Sequence, residues 1–167
     1  MRSKGWISVS RVVFALMLVP LLISLSVVPS VCGQTDEGAA DLEQAFQAKI
    51  DATTSKELDN VVKLCESAIK KGLDESGMEQ ANQLAASALF GQADQLGRQI
   101  FATGAKDPRW RVYRTQALGK LKKATKFKPK MGEAWLMIAK LNALPGGDKK
   151  ESREAVEKAV EMAGDDQ

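Results

Sequence analysis

Residues 117–139 read ALGKLKKATKFKPKMGEAWLMIA, and their spacing decides the fold. Ala117, Leu121 and Ala124 recur at helical intervals on one face, with lysines between them. Pro129 cannot continue that helix, because it lacks a backbone N–H and its ring clashes with the preceding turn. Trp135, Ile138 and Ala139 then open a second apolar stripe. The stretch is therefore the end of one helix, a turn and the start of another. Alanine at the packing positions lets two helices approach closely, and Trp135 is expected to be buried in the gap between neighbours.

The rest of the chain carries the same punctuation. Thr54 with Glu57 and Ser76 with Glu79 have the spacing of capping boxes, in which hydroxyl and carboxylate satisfy backbone N–H groups reciprocally. Asp148 stands three residues before Glu151 in the same way, and Asp107 precedes Pro108 as a cap before a first-turn proline. Gly72, Gly104 and Gly164 suit helix-terminating positions. Leu58, Val61, Val62, Cys65, Ala68 and Ile69 form one apolar stripe, and Ala81, Leu84, Ala85, Ala88 and Leu89 another. Helices are expected near 41–52, 55–71, 77–103, 108–127, 133–143 and 149–163. No strand pattern interrupts them, so the fold class is all-α.

These patterns repeat. The intervals of Ala117, Leu121, Ala124 and Pro129 return at Val61, Cys65, Ala68 and Leu73, and in part at Ala155, Ala159 and Met162. Those of Ala81, Leu84, Ala85 and Ala88 return at Ala45, Ala48, Lys49 and Ala52. On these residues the chain resembles the tetratricopeptide repeat family over 41–164, as a short α-solenoid of about three degenerate helix pairs. The second and third pairs are longer than the first, with extra residues around 90–110 and at Leu144–Asp148. No helix is expected after residue 164, where such arrays usually carry a solvated capping helix. The uncapped last helix gives two expectations: a homo-oligomer formed through it, or a chain that is the N-terminal portion of a longer repeat protein.

Composition narrows the function classes. The chain has 167 residues and no histidine, which excludes histidine-dependent triads, histidine metal sites and switches near neutral pH. The net charge of +3 is carried entirely by Arg2, Lys4 and Arg11. They precede the apolar run Val12 to Val28 and the small-residue stretch ending at Val31-Cys32-Gly33, the order of a bacterial-type secretory signal. Cleavage is expected after Gly33, which leaves a charge-balanced chain with a flexible lead-in at 34–40 and a helical domain at 41–164. The protein is then exported, as a periplasmic, envelope-associated or secreted species with no membrane contact. The alternatives are an anchor formed by the uncleaved run and lipidation of Cys32. Cleavage leaves Cys65 alone, so no internal disulfide forms, and its apolar face suits a small buried hydrophobe.

No residues form a catalytic, metal or cofactor constellation. Carboxylates are spread along helices opposite lysines rather than paired in apolar surroundings, and Pro145-Gly146-Gly147-Asp148 lacks the lysine of a phosphate loop. Residues 106–130 are strongly basic, with Asp107 as the one acid. Their bland reading is a solvated face whose lysines pair with neighbouring acidic helices. Their functional reading is a patch at Arg111, Arg114, Lys122 and Lys126 for an acidic protein. Nucleic acid is not expected as a partner, because Trp110 and Tyr113 share a face with Ala117, Leu121 and Ala124 and so belong to a core. The family resemblance implies ligand contacts from first helices of each pair, here Asn82, Ala86 and Leu89, then Glu133, Leu136 and Lys140. The expected function is a non-enzymatic scaffold binding a protein or peptide in a helical groove.

Overall fold

The computed structural model describes residues 36–164, in which every regular element is a helix. The elements are α1 (Asp36–Asp51), α2 (Ser55–Lys71), α3 (Glu75–Thr103), a 3-10 turn (Gly104–Lys106), α4 (Trp110–Phe127), α5 (Gly132–Asn142) and α6 (Lys149–Gly164). The all-α class is thus shown. Residues 1–33, read above as a secretory signal, lie outside the described residues.

Local chemistry accounts for most helix ends. Thr54 accepts from the Glu57 N–H at 3.3 Å, while the Glu57 carboxylate accepts from the Thr53 and Thr54 N–H groups at 2.7 and 2.8 Å. The capping box at the head of α2 is complete. Gly72 ends that helix at φ 99°, a conformation that favours glycine, with its N–H on the Ala68 and Ile69 carbonyls. Asp148 caps α6 by accepting from the Lys150 and Glu151 N–H groups.

Three boundaries depart from expectation. Helix α3 begins at Glu75 under an Asp74 cap, whose carboxylate accepts from the Gly77 N–H at 2.6 Å, so Ser76 is a first-turn residue and not the cap. Helix α4 begins at Trp110; Asp107 instead accepts from the Arg109 N–H in the turn before it. Helix α1 begins at Asp36, so residues 36–40, read as lead-in, are helical. A tertiary contact explains that extension. A Cβ at Gly38 would stand 2.1 Å from the Gly72 carbonyl oxygen, so only glycine admits this close seating of α1 on the end of α2.

Consecutive helices pack as α1 with α2, α3 with α4 and α5 with α6, and these pairs touch through α2 with α3 and α4 with α5. The odd-numbered helices also meet one another, α1 with α3 and α3 with α5. Two apolar cores result. The first joins Leu42 and Ala45 of α1, Val61, Cys65 and Ala68 of α2 and Ala81 to Leu89 of α3. The second joins Ala93 and Ile100 of α3, Trp110, Ala117 and Leu121 of α4, Ile138 and Leu141 of α5 and Ala155 of α6. Helix α3 belongs to both. Ala124, fully buried, packs with the first core although its helix lies mainly in the second.

Trp135 differs from its expected role. It is only partly buried, with its indole N–H on the Pro129 carbonyl at 2.8 Å and the Lys158 ammonium 4.0 Å from the ring centroid. Ala134 and Ile138, one residue before and three after it, fill the interior instead. On α6 only Ala155 is buried, whereas Val156 and Val160 are 46% and 66% exposed.

Candidate functional site

Three adjoining hollows lie across the odd-numbered helices. The first, about 420 Å³, lies between α1 and α3 and is lined by Phe46, Gln80, Gln83, Leu84 and Ser87 among others. The second, about 510 Å³, lies between the first turns of α3 and the α4–α5 turn, with Met78, Asn82, Phe127 and Pro129 in its lining. The third, about 680 Å³, is walled by that turn, α5 and α6, through Met131, Glu133, Leu136, Ala159 and Met162. Glu79 and Gln83 line both the first and second hollows. Lys128 and Lys130 line both the second and third. This row of adjoining hollows is the candidate groove.

Helical geometry puts these groups in line. Ser76, Gln80, Gln83 and Ser87 succeed one another three or four residues apart, with Glu79 beside Gln80, so they form one polar ridge along α3. The opposite arc of α3, at Ala81, Ala85 and Ala88, is buried in the first core. The groove floor is mixed. Phe46 and Leu136 are 38% and 45% exposed, amide side chains stand at Gln80, Asn82 and Gln83, and charges face each other as Glu75 and Glu79 against Lys128 and Lys130. Such a surface offers apolar contact and fixed hydrogen-bonding partners together, as peptide-binding sites do.

The expected binding residues divide. Asn82, Glu133 and Leu136 line the groove. Ala86 and Leu89 do not: they are 0% and 3% exposed and belong to the first core. Helix α3 is covered by α1 and α2 on one side and by α4 on another, so its buried arc is wider than a two-helix contact would give. Lys140 is exposed on α5 and lines none of the three hollows.

The basic segment is largely engaged with the fold itself. Arg114 donates to the Pro145 and Gly146 carbonyls at 2.9 and 2.8 Å, and its guanidinium lies 5.1 Å from the Trp110 ring centroid. Lys122 pairs with Glu151 of α6 at 2.7 Å, and Lys123 with Glu66 of α2 at 2.7 Å. Lys120 pairs with Asp59 and donates to the buried Gln92 side chain. Arg111, over Trp110 at 5.5 Å, and Lys126 are exposed. Arg111, Arg114, Lys122 and Lys126 therefore do not form one free patch. Lys128 and Lys130, which share the segment, are the basic residues that reach the groove; their place on either side of Pro129 was the available signal.

Among the described residues no group of three His, Cys, Asp or Glu side chains could hold a metal ion, and no helix is long and apolar enough to cross a membrane. Burial pushes the Cys65 thiol up to about 11, so it is protonated at neutral pH. No family model, curated protein or solved structure matches this chain.

Proposed function

We propose that this chain is an exported, non-enzymatic binding module of tetratricopeptide-like design, which holds a segment of a partner protein in the groove across α1, α3 and α5. The adjacency of the three hollows, which share lining residues, carries the reading. The contacts of α1 with α3 and of α3 with α5 support the repeat-stack interpretation, since stacked helix pairs meet through their first helices as well as within each hairpin. The pairing of Lys120, Lys122 and Lys123 with other helices favours the groove over the basic segment as the partner site.

The test places a photocrosslinking residue at Gln83 or Leu136, in the groove, and at Gln116, which is exposed on α4. Adducts to one defined peptide segment at the two groove positions, and none at Gln116, are expected. Adducts equally frequent at all three positions would overturn the reading. N-terminal sequencing of the mature protein checks export separately, with Gln34 expected as the first residue.

A further inference from the structure

We propose that the outer face of α6 pairs with the same face of a second copy of this chain, the two helices lying antiparallel across a two-fold axis. Helix α6 packs on α5, burying Ala155 and partly burying Ser152, Ala159 and Met162. Its exposed arc holds Lys149, Arg153, Val156 and Val160, which follow one another at intervals of 4, 3 and 4 residues, with Glu157 and Glu161 along one flank. The valines give this face its apolar centre, and the charges decide what can cover it.

Those charges are divided along the helix. Lys149 and Arg153 precede the valines, whereas Glu157 and Glu161 lie among and beyond them. Other charges of α6 are already engaged: Glu151 with Lys122, Glu154 with Lys150, and Lys158 over the Trp135 ring. Among the described residues, Lys149, Arg153, Glu157 and Glu161 take part in no ion pair. A two-fold axis at the level of Lys158 sets Val156 of each copy against Val160 of the other. Arg153 then stands about 7.5 Å from that level, and Glu161 of the second copy about 4.5 Å from it in the same direction, by the helical rise. The axis is perpendicular to the plane of the two helices, so it keeps both acidic flanks on one side. Arg153 and Glu161 therefore meet twice, with opposite charge. A parallel pair would set each residue against itself, Arg153 on Arg153 and Glu161 on Glu161, so the sign pattern selects the antiparallel arrangement. An anionic membrane is a poorer occupant, because Glu157 and Glu161 would face its headgroups. Arg153, Val156 and Val160 line none of the three hollows, so the pairing stands apart from the groove reading.

A face of one helix is small, and the dimer it makes is a weak one. Analytical ultracentrifugation of the full mature chain from about 1 µM to about 1 mM should show mass rising from monomer towards dimer. Arg153→Glu and Glu161→Arg should each weaken association roughly tenfold or more, because two attractive contacts turn repulsive at once. R153E/E161R should restore it, since the exchanged charges meet across the same axis, and R153E mixed with E161R should form the heterodimer. Val160→Glu should leave a monomer; thermal melts verify the fold of each variant. A monomer at every concentration overturns the proposal, as does a dimer unmoved by the single substitutions or a double variant no stronger than either. Retention on anionic vesicles that Val160→Glu abolishes, without self-association, overturns it in favour of a membrane.

Discussion

The side-chain amide of Gln92 donates a 2.9 Å hydrogen bond to the Asp59 carboxylate, linking α3 to α2. Gln92 is only 1% exposed. Its amide also donates to the Ser55 carbonyl at 2.9 Å and its oxygen accepts from Lys120, so one buried side chain ties three helices. Gln92→Leu keeps the bulk and removes every bond. It should destabilise the chain by about 1–3 kcal/mol, the usual cost of stranding polar groups. Urea denaturation with an unchanged slope is the check.

Acid should loosen the head of α2. Backbone N–H groups of Thr53, then Thr54, hold Glu57 down to about 2 from its ordinary 4.5. A carboxyl with a depressed folded pKa contributes stability above its unfolded value and loses it as pH falls through the folded one. The loss from Glu57 therefore develops between about pH 4.5 and about pH 2. Asp59 adds in the same direction: burial works against its charge, but Gln92 and Lys120 outweigh it and hold the carboxyl low. Glu57→Gln should flatten the acid limb of a melting-temperature profile over that window. A limb of unchanged depth would contradict the assignment.

Arg111 and Arg114 are three residues apart and should behave differently on substitution. Arg114→Ala removes two bonds to the α5–α6 turn and should cost about 1–2 kcal/mol, discounted for its partial exposure. Arg114→Lys should recover little, since an ammonium cannot span two carbonyls as the planar fork does. Arg111→Ala should stay within about 0.5 kcal/mol. Parallel thermal melts distinguish the three variants.

The alanine seams leave no room for growth. Ala124→Leu should overpack the junction of the two cores and cost about 1–3 kcal/mol. Ile138→Ala, at a fully buried site, should cost about 2–5 kcal/mol. Trp135→Ala should cost less than the roughly 3–5 kcal/mol of a wholly buried tryptophan, because part of its ring already meets solvent. Trp135 emission that is quenched by added acrylamide in the native state would agree.

What could be read beforehand was what is encoded locally. The Thr54 box needs only residues four apart or fewer, and the alanine stripe of α4 needs only helical periodicity, so both were legible. The start of α1 was not, because it depends on Gly38 meeting Gly72, far along the chain. Ser76 gave way to Asp74, a comparable cap two residues earlier, and the motif alone cannot rank the two. Ala86 and Leu89 were misplaced because a pairwise repeat template underestimates how many neighbours surround α3. The groove itself was half legible. Asn82 and Leu136 follow from the template, while Phe46 and the Lys128–Lys130 pair depend on where hollows meet in space.

Helix α3 spans 29 residues, a rod of about 43 Å, and both cores are built on it. Ordinary repeat arrays can fray from an end, one hairpin at a time, because each unit answers only to its neighbours. Here melting α4, α5 and α6 would expose Ala93 and Ile100 on a helix whose other half is still clamped by α1 and α2. The rod resists being half coil, since each lost turn uncovers its own backbone groups as well as apolar surface. Native-state hydrogen exchange along α3 should accordingly report one common opening free energy from Ala81 to Ile100. The two cores are thereby kept at a fixed separation, like marks on a ruler.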